Sequence, residues 1–205
     1  MAGMGRKDPM PAVFLPDGRS EPMNAPIDIT GVTLRTARLT LRPWRESDLD
    51  DLYAYARVEG VGQMAGWTPH RSIDESRGIL DMFIREKKTF ALEYQGKVVG
   101  SLGIETYVPE RYPELALEDK RGREIGYVLS RSCWGRGLMP EAVRAVIRWL
   151  FDVEKLDFII IGHFDWNRQS ARVIEKCGFQ YVKTIPSQAE FGRTERLMEY
   201  ILYNR

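Results

Sequence analysis

Apolar residues recur along this chain with two periods, one near two residues and one near 3.6, and the alternation between them predicts the elements. Residues 32–44 alternate as a first strand, with Leu39 and Leu41 on one face and a turn at Pro43. Across 47–57 the period lengthens to that of a helix. Its buried stripe is Leu49, Leu52, Tyr53 and Ala56, and Ser47 with Asp50 forms a capping pair. A glycine-rich stretch, 60–70, precedes a second helix that Ser72 and Glu75 cap and whose Leu80, Phe83 and Ile84 face inward. Residues 90–94 and 97–106 read as a hairpin joined at Gln95-Gly96.

A charged, proline-containing loop over 108–123 leads to the stretch around which the rest is organised. Residues 124–129 read as a short strand, 130–138 as a turn containing Gly135-Arg136-Gly137, and Pro140 as the start of a helix with Val143, Val146, Ile147 and Leu150 on one face. The first N–H groups of a helix have no internal partner, and the helix dipole adds positive potential there. Strand, glycine turn and helix start therefore make an anion site. Residues 158–161 are a continuous apolar run, as in a central strand covered on both faces. Asn167 caps a helix whose stripe is Ser170, Val173, Ile174 and Cys177 and which Gly178 ends. Residues 179–185 and 196–203 close the chain as strands, giving the order β-α-α-β-β-β-α-β-α-β-β.

Five of the eleven prolines fall in residues 1–31, which carry neither period and read as an N-terminal extension. The remaining 32–205, in a 205-residue chain that is 43% hydrophobic and 29% charged, is the size of one domain with a sizeable core. A formal net charge of +1 excludes the global field of a dedicated nucleic-acid binder, so an anion site must be local. Two cysteines make no disulfide framework, no apolar run reaches a membrane span, and Arg6 and Lys7 precede no secretory apolar core. These features predict a reduced, cytoplasmic protein bound to neither nucleic acid nor membrane. Cys133, His163 and Cys177 lack metal-ligand spacing, so no metal is expected.

The glycine turn fits neither common nucleotide loop, because position 140 is proline where a dinucleotide loop needs glycine and Leu138-Met139 stands where a mononucleotide loop needs lysine. It resembles the pyrophosphate loop of the GNAT superfamily of acyl-CoA-dependent N-acetyltransferases, whose pattern is Gln/Arg-x-x-Gly-x-Gly/Ala ahead of a helix. Ser132-Cys133-Trp134-Gly135-Arg136-Gly137 fits in its glycines and departs in its first residue, with Arg131 one place earlier. Asn167-Arg168-Gln169-Ser170, followed by Lys176-Cys177-Gly178-Phe179, resembles the second motif of that superfamily. Gln188-Ala189-Glu190-Phe191 and Trp67-Thr68-Pro69 are similar to segments of the Rim-type ribosomal-protein N-terminal acetyltransferases, although residues 193–196 depart from that pattern.

The resemblance implies an α/β (α+β) fold with a mixed, mostly antiparallel sheet flanked by helices over 32–205, and acetyl-CoA as co-substrate. The pyrophosphate would lie on the amides of Trp134, Gly135, Arg136, Gly137, Leu138 and Met139, with Arg131, Arg136, Arg168 and Arg172 as nearby cations. The amide of Leu129 would hold the thioester oxygen, and Asn167 and Ser170 would meet the pantetheine arm. Asn167 is equally a helix cap, and Ser170 an ordinary first-turn residue. Glu124 is either the base that deprotonates the amine through water or a solvent-facing strand end. Ser170 is the candidate acid for the thiolate, and Glu190 a second candidate base, a substrate contact or a plain loop residue. Trp67 and His70 would line the acceptor groove; a buried aromatic and a satisfied surface histidine are the other readings. The leading expectation is acetylation of a primary amine, the N-terminal α-amine of a protein or peptide, by direct attack in a ternary complex. The alternatives are a small-amine acetyltransferase (polyamine, amino acid or antibiotic) and a non-catalytic acyl-CoA sensor. Either a monomer or a homodimer is compatible with the sequence.

Overall fold

The computed structural model describes residues 24–189 and 192–205. What the alternation joins into one first strand is two, β1 (Leu34–Arg35) and β2 (Leu39–Pro43), folded back on each other. Thr36 causes the break: its hydroxyl accepts from the amides of Arg38 and Leu39, a local bond that competes with the ladder. Helix α1 (Leu49–Ala56) follows a short 3-10 turn over Glu46–Asp48. Asp48, and not Ser47, anchors this start, accepting from the amide of Arg45 at 2.8 Å. On α1 the buried tyrosine is Tyr55 and not Tyr53, whose ring lies under the Arg57 guanidinium at 5.4 Å. Helix α2 (Ile73–Glu86) is capped by Ser72, whose hydroxyl accepts from the amide of Glu75.

Strands β3 (Thr89–Tyr94) and β4 (Lys97–Glu105) meet at a two-residue turn with φ of 52° at Gln95 and 75° at Gly96. The pair of positive values matches the right-handed twist of the strands. Then come β5 (Gly122–Leu129), α3 (Leu138–Asp152), β6 (Phe158–Phe164), α4 (Arg168–Lys176), β7 (Gln180–Gln188) and β8 (Thr194–Tyr203). Pro140 is the third residue of α3, not the first; its missing N–H still falls in the turn that needs none.

The strands form one eight-stranded sheet in the order β1-β2-β3-β4-β5-β6-β8-β7, and within it only β5 and β6 run parallel. Side chains alternate between its faces. Ile125, Ile159 and Ile161 point to the face covered by α3 and α4, where Val143, Val146 and Leu150 are fully buried. Val128 points to the other face, packed with Leu52 and Tyr55 of α1 and Leu80 of α2. Beside these helices the β4–β5 connection lays Tyr107, Tyr112 and Leu117 over Ile160 and Ile201.

Residues 24–31, read from the sequence as the end of the extension, pack on this domain. Ala25 and Ile29 are buried in the main core, and the carbonyl of Ala25 accepts from Arg123 Nε at 2.6 Å. The prolines hide the fact that Ala25, Ile27 and Ile29 alternate. No helix among the described residues is long and apolar enough to cross a membrane.

Candidate active site

Strands β5 and β6 keep their parallel register only from Gly122 opposite Phe158 to Ile125 opposite Ile161. Beyond that point each follows its antiparallel partner instead, β5 with β4 up to Leu129 and β6 with β8 up to Phe164. The sheet therefore splits, and a cavity of about 850 Å³ opens between the two strands. The amide of Ser130 donates to Val99 on β4 at 2.7 Å, so by strand alternation the amide of Leu129 faces the split. The carbonyl of Leu129 accepts from Trp134 Nε1 at 2.7 Å, which pins the indole to the end of the strand.

At the mouth of the cavity Gly135 and Gly137 have φ of +74° and +73°, a region that side chains rarely enter. A Cβ on Gly135 would meet nothing within 4 Å, so the space over the loop is open, and Gly137 is the N-cap of α3. The loop is tied down from β1–β2. Arg38 donates to the carbonyl of Arg136 at 2.8 Å and grips Glu141 of α3, whose other oxygen accepts from Thr36 at 2.6 Å. Partial burial alone would raise the Glu141 carboxyl, but these bonds outweigh it and hold the group below its ordinary value.

The cations differ from the expected set. Arg172 lines the cavity together with Lys176, one helical turn further along α4. Arg131, Arg136 and Arg168 are not among its lining residues; the Arg131 guanidinium lies over the Trp134 ring at 6.0 Å. In the sequence Lys176 stands only as the first residue of the Lys176-Cys177-Gly178-Phe179 segment.

Asn167 is buried with both ends of its amide in use. Its oxygen accepts from the amide of Ser170 at 3.0 Å, and its nitrogen donates to the carbonyl of Met64 at 3.1 Å. Asn167 thus ties α4 to the loop after α1 while lining the cavity. Ser170 also lines it, and its hydroxyl lies 2.8 Å from that of Tyr127 on β5. Tyr127 went unnoticed in the sequence, where it is one apolar position of a strand. Burial raises its phenol well above the ordinary value, so the hydroxyl keeps its proton at neutral pH.

Glu124 projects from the opposite face of β5. Burial raises its carboxyl, Arg111 opposes that shift, and Glu199 and Glu105 add to it. Arg111 belongs to the β4–β5 connection and lines the same cavity; it pairs with Glu199 of β8, which also accepts from the Tyr112 hydroxyl at 2.8 Å. Sequence reasoning missed both residues of this pair. The one available signal was a charge, Glu199, inside the otherwise apolar run from Leu197 to Tyr203.

Trp67 and His70 line a different cavity, of about 370 Å³, with Tyr55, Met82 and Phe83. The Trp67 ring packs on Gly62, where a Cβ would come within 2.2 Å of it, and His70 Nδ1 is 2.7 Å from the Ser76 hydroxyl. From that stretch Val61, Met64, Ala65 and Gly66 reach the main cavity. Glu190 lies outside the described residues; its neighbours Ser187 and Gln188 line the cavity. Among the described residues no three His, Cys, Asp or Glu side chains gather to hold a metal ion.

The arrangement presents a carboxylate on one face of the sheet, two hydroxyls on the other and a gap between. Comparison with known proteins bears on the family and the fold. A family model described as an acetyltransferase (GNAT) domain matches residues 38–180. An N-acetyltransferase called p20 from Bacillus licheniformis is 27% identical over 156 residues, covering 72% of this chain and 82% of its own. The ribosomal-protein-S5-alanine acetyltransferase from Vibrio fischeri superposes with a TM-score of 0.67 at 21% identity, covering 84% of this chain and 97% of its own. The microcin C7 self-immunity acetyltransferase MccE, solved with acetyl-CoA and AMP, superposes with a TM-score of 0.69 at 16% identity, covering 82% and 94%.

Proposed function

The chain belongs to the GNAT acetyltransferase family, and from that premise we propose that it moves the acetyl group of acetyl-CoA to the N-terminal α-amine of a protein or peptide by direct attack in a ternary complex. The observation that carries this reading is the split between β5 and β6, with Glu124 on one face and the Tyr127–Ser170 hydroxyl pair on the other. An amine arriving over Glu124 and a thioester lying over α3 and α4 would meet in the gap. Neither has to pass the other.

The residues present fit acetyl-CoA. Open space over Gly135, the N-terminus of α3, and Arg172 with Lys176 suit its phosphates. When bound, acetyl-CoA supplies the acyl group as an activated thioester. The chain's own residues do the rest. Glu124, whose carboxyl burial raises from its ordinary value, takes the proton from the ammonium so that the lone pair is free. The Leu129 amide, facing the split, holds an oxygen that gains negative charge. Tyr127 and Ser170 share a hydroxyl bond that passes a proton to the departing sulfur.

Acetylation of a protein or peptide N-terminus is favoured over that of a small amine by the likeness to the ribosomal-protein-S5-alanine acetyltransferase from Vibrio fischeri. Screening acetyl-CoA consumption with peptides beginning Ser or Ala, polyamines and aminoglycosides tests the proposal. Efficient turnover of polyamines or aminoglycosides with none on any peptide would overturn it.

A further inference from the structure

The sheet register places a second carboxylate beside Glu124. Glu124 lies opposite Ile160, Ile160 opposite Ile201, and Gly162 opposite Glu199. Residues directly opposite share a face, and residues two apart along a strand do as well, so Glu124, Gly162 and Glu199 all point to the face away from α3 and α4. Gly126, two residues after Glu124, shares that face; a Cβ there would meet nothing within 4 Å. Gly126 thus leaves a bare floor beside Glu124 in the main cavity, while at Gly162 the Leu197 side chain lies 3.1 Å from where a Cβ would stand.

Arg111 reaches over this floor from the β4–β5 connection. It is 31% exposed, lines the cavity, and one of its terminal nitrogens is held by Glu199, which is itself 1% exposed. Tyr112 braces the pair: its hydroxyl donates to the same Glu199 oxygen, and its ring lies under the guanidinium at 5.9 Å. A guanidinium has five donors in a fixed fork, and Glu199 takes only one side of it. The second Glu199 oxygen and Arg111 Nε are buried without partners among the described residues. A clamp that well buried fixes where the rest of the fork points.

We propose that Arg111, clamped by Glu199, is a specificity-determining residue that receives the carbonyl oxygen one carbon from the reacting amine, so that the acceptors are α-amino carbonyl compounds and not plain alkyl amines. This rests on the acetyl-transfer reading above. The chemistry is complementary: two carboxylates and one guanidinium leave this end net negative, which admits an ammonium, while the guanidinium recognises the oxygen beside it. A polyamine has no such oxygen and would leave the fork unmatched.

The test compares alaninamide with butylamine as acceptors for the wild-type enzyme, Arg111→Gln and Arg111→Lys. Wild type should favour alaninamide by roughly 100-fold or more in kcat/KM, as sites built around a polar partner do. Arg111→Gln should lower that ratio at least tenfold through KM for alaninamide, and Arg111→Lys should fall between. Calorimetric acetyl-CoA affinity and the thermal melt report whether each variant stays folded. Glu199→Gln, which keeps the shape and frees the clamp, should lower the ratio in the same direction. Equal loss on both amines, or a wild type that turns over both equally, overturns the role of Arg111 and leaves acetyl transfer standing. A wild type that acetylates no amine at all overturns the reading beneath it.

Discussion

Tyr127 Oη and Ser170 Oγ lie 2.8 Å apart, one on the strand that borders the split and one on the first turn of the helix facing it. If the pair delivers the proton to the thiolate, its effect belongs to turnover and not to binding. Ser170→Ala and Tyr127→Phe should each lower kcat by about 100-fold, the low end of general acid catalysis. Calorimetric CoA affinity should stay within about twofold. Parallel loss of kcat and CoA affinity would reduce the pair to a binding contact.

Replacing both Gly135 and Gly137 with valine puts two branched side chains at φ near +74°. Each costs about 1–3 kcal/mol of backbone strain. The loop should then abandon the conformation that presents its amides, and CoA binding should fall below detection in a variant whose circular dichroism stays native. Unchanged affinity in that folded variant would remove the loop from the cofactor site.

Because burial raises the Glu124 carboxyl, its base form appears at a higher pH than that of an ordinary glutamate. The kcat/KM profile should rise through that raised pKa, and Glu124→Gln should lose the rise along with most of the activity. Stability carries the opposite sign. The fold favours the protonated group, so ionisation costs stability as pH climbs from the ordinary value near 4.3 to the raised folded value. Relative to Glu124→Gln, wild type should gain stability on acidification through that window, which paired denaturant titrations would show.

Asp48 receives two bonds from Arg42, at 2.8 and 2.9 Å, and the two residues are 5% and 6% exposed. Glu93 adds a bond to the same guanidinium at 2.8 Å. Removing one partner of a buried pair leaves the other charge uncompensated, so Asp48→Ala should cost about 3–5 kcal/mol in urea unfolding. A loss under about 1 kcal/mol would mean that Glu93 or water replaces the carboxylate.

The order of elements was legible because local periods decide it, and the glycine turn because only particular φ values suit it. What the sequence hid depends on which way a residue faces once the sheet is assembled. Trp67 and His70 share a short loop with Met64 and Gly66, yet the first two line one cavity and the last two another, a division made by the close packing of Trp67 on Gly62. Arg111 and Glu199 are 88 positions apart and meet only through strand pairing. Tyr53 and Tyr55 fit a helical stripe about equally well; packing between α1, α2 and β4 selects Tyr55.

Four register pairs are all that join the two halves of the sheet. A seam so short, ending in an open cleft, is where the domain should breathe first, with the β1–β5 half and the β6–β8 half opening as separate cooperative units. A ligand lying across the cleft would touch both halves and act as a staple between them. Amide hydrogen exchange along 122–125 and 158–161 should then slow on cofactor binding by more than direct shielding explains, which would make the occupied site a structural joint of the enzyme as well as its reaction centre.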